Sequence, residues 1–165
     1  MKLSSFSVVN YRSITTARKI QTHNMTVLVG KNNEGKSNIL RALILAMNIM
    51  RLYADEPRTL NYIHRYLRKG YSWHHDFPLS LQERYPNGYS SVDLIFEPSE
   101  QEIAEIRTLT GIRLTSDIPV RVSINNINAK IDIEFLRIAE RYSSVGFDKV
   151  EYMFTSNGYF EAIST

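Results

Sequence analysis

Gly30-Lys31-Asn32-Asn33-Glu34-Gly35-Lys36-Ser37 is the stretch that most restricts what this chain can fold into. It fits the phosphate-binding pattern G-x-x-x-x-G-K-[ST], which is expected between a strand and a helix. The neighbours have that order. The apolar run Met25-Thr26-Val27-Leu28-Val29 precedes the loop, and a helix-like apolar stretch over residues 38–50 follows it. The first run lacks polar alternation, which predicts a strand inside a sheet with both faces covered. The second is apolar nearly all round, which predicts a helix packed under that sheet and buried on several sides.

A loop that wraps a phosphate must turn its N–H groups inward, and bulky side chains would block that approach. Gly30 and Gly35 therefore stand where the chain turns tightly or comes closest to the ligand. Asn33 tolerates a left-handed conformation better than most residues. The helix beginning near Gly35 adds the partial positive charge of its N-terminus. Lys36 is expected to reach the β- and γ-phosphates as a point charge. Ser37 is expected to offer its hydroxyl to magnesium, a cation that takes oxygen ligands in octahedral geometry.

Composition narrows the setting without deciding it. The chain has 165 residues, 43% of them apolar and 22% charged, which is one ordinary globular domain or a fragment of one. It contains no cysteine, so a disulfide framework is excluded and a reducing cytoplasm is the default location. The first residues lack the apolar core of a signal peptide. Arg41 and Arg51 interrupt the best candidate for a bilayer span, so no membrane partner is expected. A net charge of +3 permits a nucleic-acid partner and does not require one.

Three units follow along the chain: a phosphate-loop core over residues 1–55, a helical and irregular insertion over 56–90, and an α+β segment over 91–165. In the first, residues 2–9 read as a strand with Ser4, Phe6 and Val8 on one face. Asn10-Tyr11-Arg12-Ser13 is turn-like, and residues 15–20 form a β-branched second strand. In the insertion, residues 59–69 read as a short helix carrying Arg65, Arg68 and Lys69 beside Tyr62 and Tyr66. That mixture suits nucleic acid, a protein interface or an ordinary surface. His74-His75-Asp76 has no third histidine or cysteine at ligand spacing, and reads as a loop anchored by Trp73 and Phe77. In the third unit, Val92, Leu94 and Phe96 share one face of a strand. Ser99 and Glu102 then form a capping box that opens a helix, and residues 119–124 form a further strand. Residues 149–155 and 159–163 flank Asn157-Gly158, a hairpin signal.

A nucleoside triphosphatase also needs a carboxylate to hold magnesium and a group to orient water. No apolar strand here ends in Asp-Glu. Asp93-Leu94-Ile95-Phe96-Glu97 runs into Pro98 without a paired acid, and Lys130-Ile131-Asp132-Ile133-Glu134 alternates. Gln82, Glu97 and Gln101 offer no well-placed magnesium or water partner. No catalytic residue is therefore assigned, and the expectation is an N-terminal piece of a longer enzyme.

The stretch from Val27 to Leu43 resembles the loop of SMC, RecF and OLD ATPases, which typically read Gly-x-Asn-x-x-Gly-Lys-Ser-Asn and then Leu or Ile and Ala-Leu. Asn38 directly after Ser37 is part of that likeness, and Asn10-Tyr11-Arg12-Ser13 is similar to the Asn-Phe-Arg-Ser stretch of the same group. The Asn32-Asn33 pair, and a short acidic helix after the strand at 91–97, lean toward the OLD branch. The resemblance implies an α/β fold: the N-terminal lobe of an ABC-type P-loop ATPase, with a mixed sheet around the loop's helix and added antiparallel strands. It implies ATP and magnesium as cofactors. The nucleotide-binding set is Gly30, Lys31, Asn32, Asn33, Glu34, Gly35, Lys36, Ser37 and Asn38, with Arg12 near the nucleotide and Ser37 on the metal. The implied partners are the rest of the parent ATPase and a second lobe, as in a homo-oligomer, with DNA a candidate. OLD proteins commonly carry a nuclease domain, and several act in antiphage defence. Two other readings stay open: a P-loop kinase or GTPase, and a non-catalytic interaction module in which the loop is a relic. The chain has no Asn-Lys-x-Asp guanine motif and no arginine-rich kinase lid.

Overall fold

The computed structural model describes residues 1–32, 34–55, 70–110, 114, 117–125 and 129–133. Asn33, the basic helix expected over 59–69 and the hairpin expected around Asn157-Gly158 lie outside the described residues. The framework is an antiparallel sheet with one long helix packed on it, a mixed α/β arrangement.

Five strands make the sheet: β1 (Lys2–Tyr11), β2 (Ile14–Gln21), β3 (Ser90–Glu97), β4 (Ile118–Ile124) and β5 (Ala129–Ile133), in the order β2-β1-β3-β4-β5. Every described pairing is antiparallel. Period-2 alternation builds the inner face. Val92, Leu94 and Phe96 are buried as their spacing predicts, and the register sets them across from Val8, Phe6 and Leu3 on one side. On the other side they face Val122, Val120 and Ile118. Apolar cross-strand pairs of this kind are what stabilises a sheet. β1 departs from simple alternation. Its register with β3 shifts between Leu3 and Ser5, and its register with β2 between Phe6 and Val8. Ser5 is consequently buried, while Ser4 is half-buried and donates to the Ile95 carbonyl at 3.1 Å.

Helix α1 (Lys36–Asp55) covers the inner face with Ala42, Leu45, Ala46, Ile49 and Met50, all buried. Each large side chain so buried contributes roughly 1.5–3 kcal/mol of transfer free energy before chain entropy is charged against it. Burial on several sides is not what occurs. Leu40 and Ile44 stand about half exposed, so α1 has one covered stripe and one open one. Two short helical turns follow, α2 (Trp73–Asp76) and α3 (Leu79–Gln82). Helix α4 (Glu100–Thr110) begins at the predicted capping box: Glu102 accepts the Ser99 N–H at 2.7 Å, and Ser99 Oγ accepts the Glu102 N–H at 3.3 Å.

The largest departure from the sequence reading is the run at 25–29. No strand forms there, and the mixed sheet expected around α1 is an antiparallel one among the described residues. Met25 is 82% exposed, Val27 66% and Val29 90%. A strand exists only when neighbours take up its N–H and C=O groups. The five described strands pair with one another and leave this segment without a ladder.

Candidate phosphate-binding site

The loop lies between the exposed segment 25–29 and the first turn of α1. Gly35 has φ of +87°, a conformation that favours glycine, and its carbonyl accepts the Ile39 N–H at 2.9 Å, which starts the helix. A Cβ at Gly35 would stand 2.5 Å from Ile14 Cδ1 and 3.2 Å from Ser13 Oγ. The glycine is thus required by its own backbone and by the β1–β2 turn pressed against it. Asn38 explains its place in the motif: its Nδ2 donates to Ser13 Oγ at 2.9 Å and ties α1 to the same turn.

Inside the loop the charged groups bond to main-chain groups. Lys36 Nζ donates to the carbonyls of Gly30 and Lys31, each at 2.5 Å. The Glu34 carboxylate accepts the Lys31 N–H at 2.8 Å, and one of its oxygens lies 2.6 Å from where a Gly30 Cβ would stand. An anionic group therefore already sits on a loop N–H, held close because residue 30 is glycine. Asn32 is exposed, as is Ser37 in the first turn of α1.

Arg12 sits in the turn that touches the loop, at φ +52°. Its N–H donates to the Asp76 carbonyl at 2.5 Å and its Nε to Asp76 Oδ1 at 2.7 Å. The guanidinium carbon lies 5.6 Å from the centre of the Tyr11 ring. Burial alone would make Arg12 easier to deprotonate, but the Asp76 carboxylate outweighs it and the guanidinium is held more firmly charged than usual. Burial, reinforced by the Asp76 charge, raises the Tyr11 hydroxyl. Burial pushes the Tyr71 hydroxyl up to about 12, and it shares a 2.9 Å hydrogen bond with Ser90 Oγ.

Trp73 and Phe77 anchor the segment that carries Asp76, which is a helical turn where a loop was expected. Their rings stack 5.3 Å apart at an interplanar angle of 9°, and Trp73 Nε1 donates to the Gly88 carbonyl at 3.0 Å. His74 and His75 are exposed, and among the described residues no three His, Cys, Asp or Glu side chains gather as a metal site. Gln82 donates to the carbonyls of His74 and Phe77, both at 3.0 Å, which makes it a local brace. No helix among the described residues is long and apolar enough to cross a membrane.

The family model of the AAA ATPase domain matches residues 1–157, nearly the whole chain. The chain belongs to the AAA ATPase domain family. Among curated proteins none is significantly similar to it. Membership implies nucleotide binding, usually with magnesium, and the residues of this AAA ATPase domain fit such a ligand. A loop N–H already donates to the Glu34 carboxylate, Lys36 meets carbonyl oxygens among the described residues, and Ser37 offers an exposed hydroxyl, an oxygen ligand suited to magnesium. Sequence reasoning missed Asp76. Its one signal was an acid placed between two anchoring aromatics.

Proposed function

We propose that this domain is the ATP-binding lobe of a DNA-acting ABC-type ATPase with a P-loop fold, and that its parent is an OLD-like, ATP-dependent nuclease or antiphage defence protein. One observation carries the nucleotide part: a G-x-x-x-x-G-K-S loop runs into a 20-residue helix, with its second glycine in a left-handed conformation and an anion seated on a loop N–H. Gly30, Lys31, Asn32, Asn33, Glu34 and Gly35 would supply the cradle. Lys36 would neutralise phosphate charge, and Ser37 would hold magnesium, which when bound screens the charge of the phosphates. Asn38 and Arg12 would complete the site. The remaining elements serve as support, with residues 1–55 as the loop core and 56–90 and 91–165 as additions to it.

DNA action, a nuclease partner and a second lobe rest on the resemblance of the loop to SMC, RecF and OLD proteins, and a cytoplasmic setting rests on the lack of cysteine. Incomplete catalytic equipment in this stretch fits a lobe that binds ATP and relies on the parent for hydrolysis.

Lys36→Ala tests the reading. ATP–magnesium affinity should fall at least tenfold, the order expected when a charge-assisted contact worth about 1.5–3 kcal/mol is lost. The melting temperature should stay within a degree or two, because among the described residues Lys36 Nζ donates to loop carbonyls. Unchanged affinity would leave the interaction module as the better account. Thermal stabilisation by GTP and not ATP would favour a GTPase.

A further inference from the structure

We infer that Asp76 is a positioning residue for Arg12, holding it at the phosphate loop for contact with the bound polyphosphate. This inference rests on the reading that the loop binds ATP. Asp76 is only 4% exposed, yet it carries a carboxylate. Two of its acceptors hold Arg12, and Ser72 steadies it from its own turn, where the Asp76 N–H donates to the Ser72 carbonyl at 2.7 Å. One oxygen accepts Arg12 Nε at 2.7 Å, the other accepts the Ser72 N–H at 2.7 Å, and the main-chain carbonyl accepts the Arg12 N–H at 2.5 Å.

The clamp does two things. First, it holds Arg12 in a left-handed conformation, at φ +52°, that costs a non-glycine residue roughly 1–2 kcal/mol. That conformation sets the turn whose next residues reach the loop: Ser13 takes the hydrogen bond from Asn38, and Ile14 lies against Gly35. Second, it engages the guanidinium through Nε. Asp76 leaves the two Nη groups to other partners: the Tyr11 hydroxyl also hydrogen-bonds the Arg12 side chain, and the Nη pair is what arginine presents to phosphate oxygens. Asp76 lies in the short helical turn Trp73–Asp76, whose flanking rings Trp73 and Phe77 stack on each other. A carboxylate 64 positions away in sequence thus controls both the shape of the turn and the posture of its arginine.

The experiment is a double-mutant cycle on ATP–magnesium affinity, with the melting temperature measured in parallel. Asp76→Asn keeps the size of the side chain and removes its charge. It should weaken ATP about five- to tenfold. Arg12→Ala should weaken it by at least as much, and the Arg12→Ala/Asp76→Asn double variant should be no weaker than Arg12→Ala alone. Arg12→Lys, on a partly exposed side chain that folding tolerates, has no Nε–H for Asp76 and should lose affinity as Asp76→Asn does. If Asp76→Asn lowers affinity equally with and without Arg12, Asp76 acts through the fold and the inference fails. It fails too if Arg12→Lys binds like the parent chain, or if Asp76→Asn lowers only the melting temperature. A parent chain that binds no ATP at all overturns the proposed function together with this inference.

Discussion

Two apolar stretches of similar length meet opposite fates in this molecule. Val92, Leu94 and Phe96 disappear into the sheet, while Met25, Val27 and Val29 stay in contact with solvent. Hydrophobicity does not separate them; pattern and partners do. In β3 the apolar residues alternate with polar ones, so one face is defined, and β1 and β4 take up the main-chain groups on both edges. Residues 25–29 carry no such alternation. A continuous apolar run asks for cover on both faces and a neighbour on each edge, and none of the five described strands pairs with it, the edge strands β2 and β5 included. The lesson is that an apolar run states a demand, and the fold around it decides whether the demand is met.

Paired substitutions break or sharpen that contrast most strongly. Leu94→Ala removes a fully buried side chain facing Phe6 and Val120, and should cost about 2–5 kcal/mol. In a chain of this size that is a fall in melting temperature of roughly 5–15 °C. Val29→Ser should change stability by less than about 0.5 kcal/mol, as exposed positions do. Denaturant titration of both variants gives the answer. A Val29→Ser cost on the scale of Leu94→Ala would mean that residues 25–29 are covered in solution, and the contrast would collapse.

The next effect lies where the exposed segment meets the loop. Glu34 holds its carboxylate on the Lys31 N–H, a group that a phosphate would also seek. Glu34→Gln removes that negative charge and weakens its hold. ATP affinity should rise about two- to fivefold, the scale of a surface charge near a helix N-terminus. The gain should shrink as salt is added, because exposed charges are screened. Isothermal titration at low and high ionic strength measures both. A drop in affinity would show instead that the Glu34 carboxylate, and not its main chain alone, helps to shape the cradle.

Local rules were enough for some of this structure. The capping box at Ser99 and Glu102, the β3 face and the helix after the loop each depend on residues within one element, and each forms as its spacing predicts. Gly35 was legible for the same reason, since a tight turn before a helix needs a left-handed residue. What escaped involves groups brought together by the fold. The Arg12–Asp76 clamp joins residues whose separation follows no period. The register shifts in β1 arise from fitting two neighbours at once. The open stripe of α1 at Leu40 and Ile44 depends on which side the sheet takes, which an apolar helix does not specify.

The smallest expected effect at a buried side chain is at the start of α4. Glu102 is buried, which opposes its ionisation, but the main-chain ammonium of Met1 and the Ser99 contacts outweigh burial and hold its carboxyl below the usual range. A carboxyl depressed in the folded state adds stability that is fully present above its unfolded pKa of about 4.3 and is lost as pH falls through the lower folded value. Glu102→Gln keeps the cap geometry and discards the charge, so it should cost about 0.3–1 kcal/mol at neutral pH. Below pH about 4 the gap between the two chains should narrow, because the parent then loses the same charge. Melting curves from pH 7 down to 3 test the sign. A gap that widens on acidification would mean that burial, and not the ammonium, governs Glu102. ATP affinity should not move at all, since Glu102 touches neither the loop nor residues 25–29, and any change there would link the sheet to the loop more tightly than the contrast between them allows.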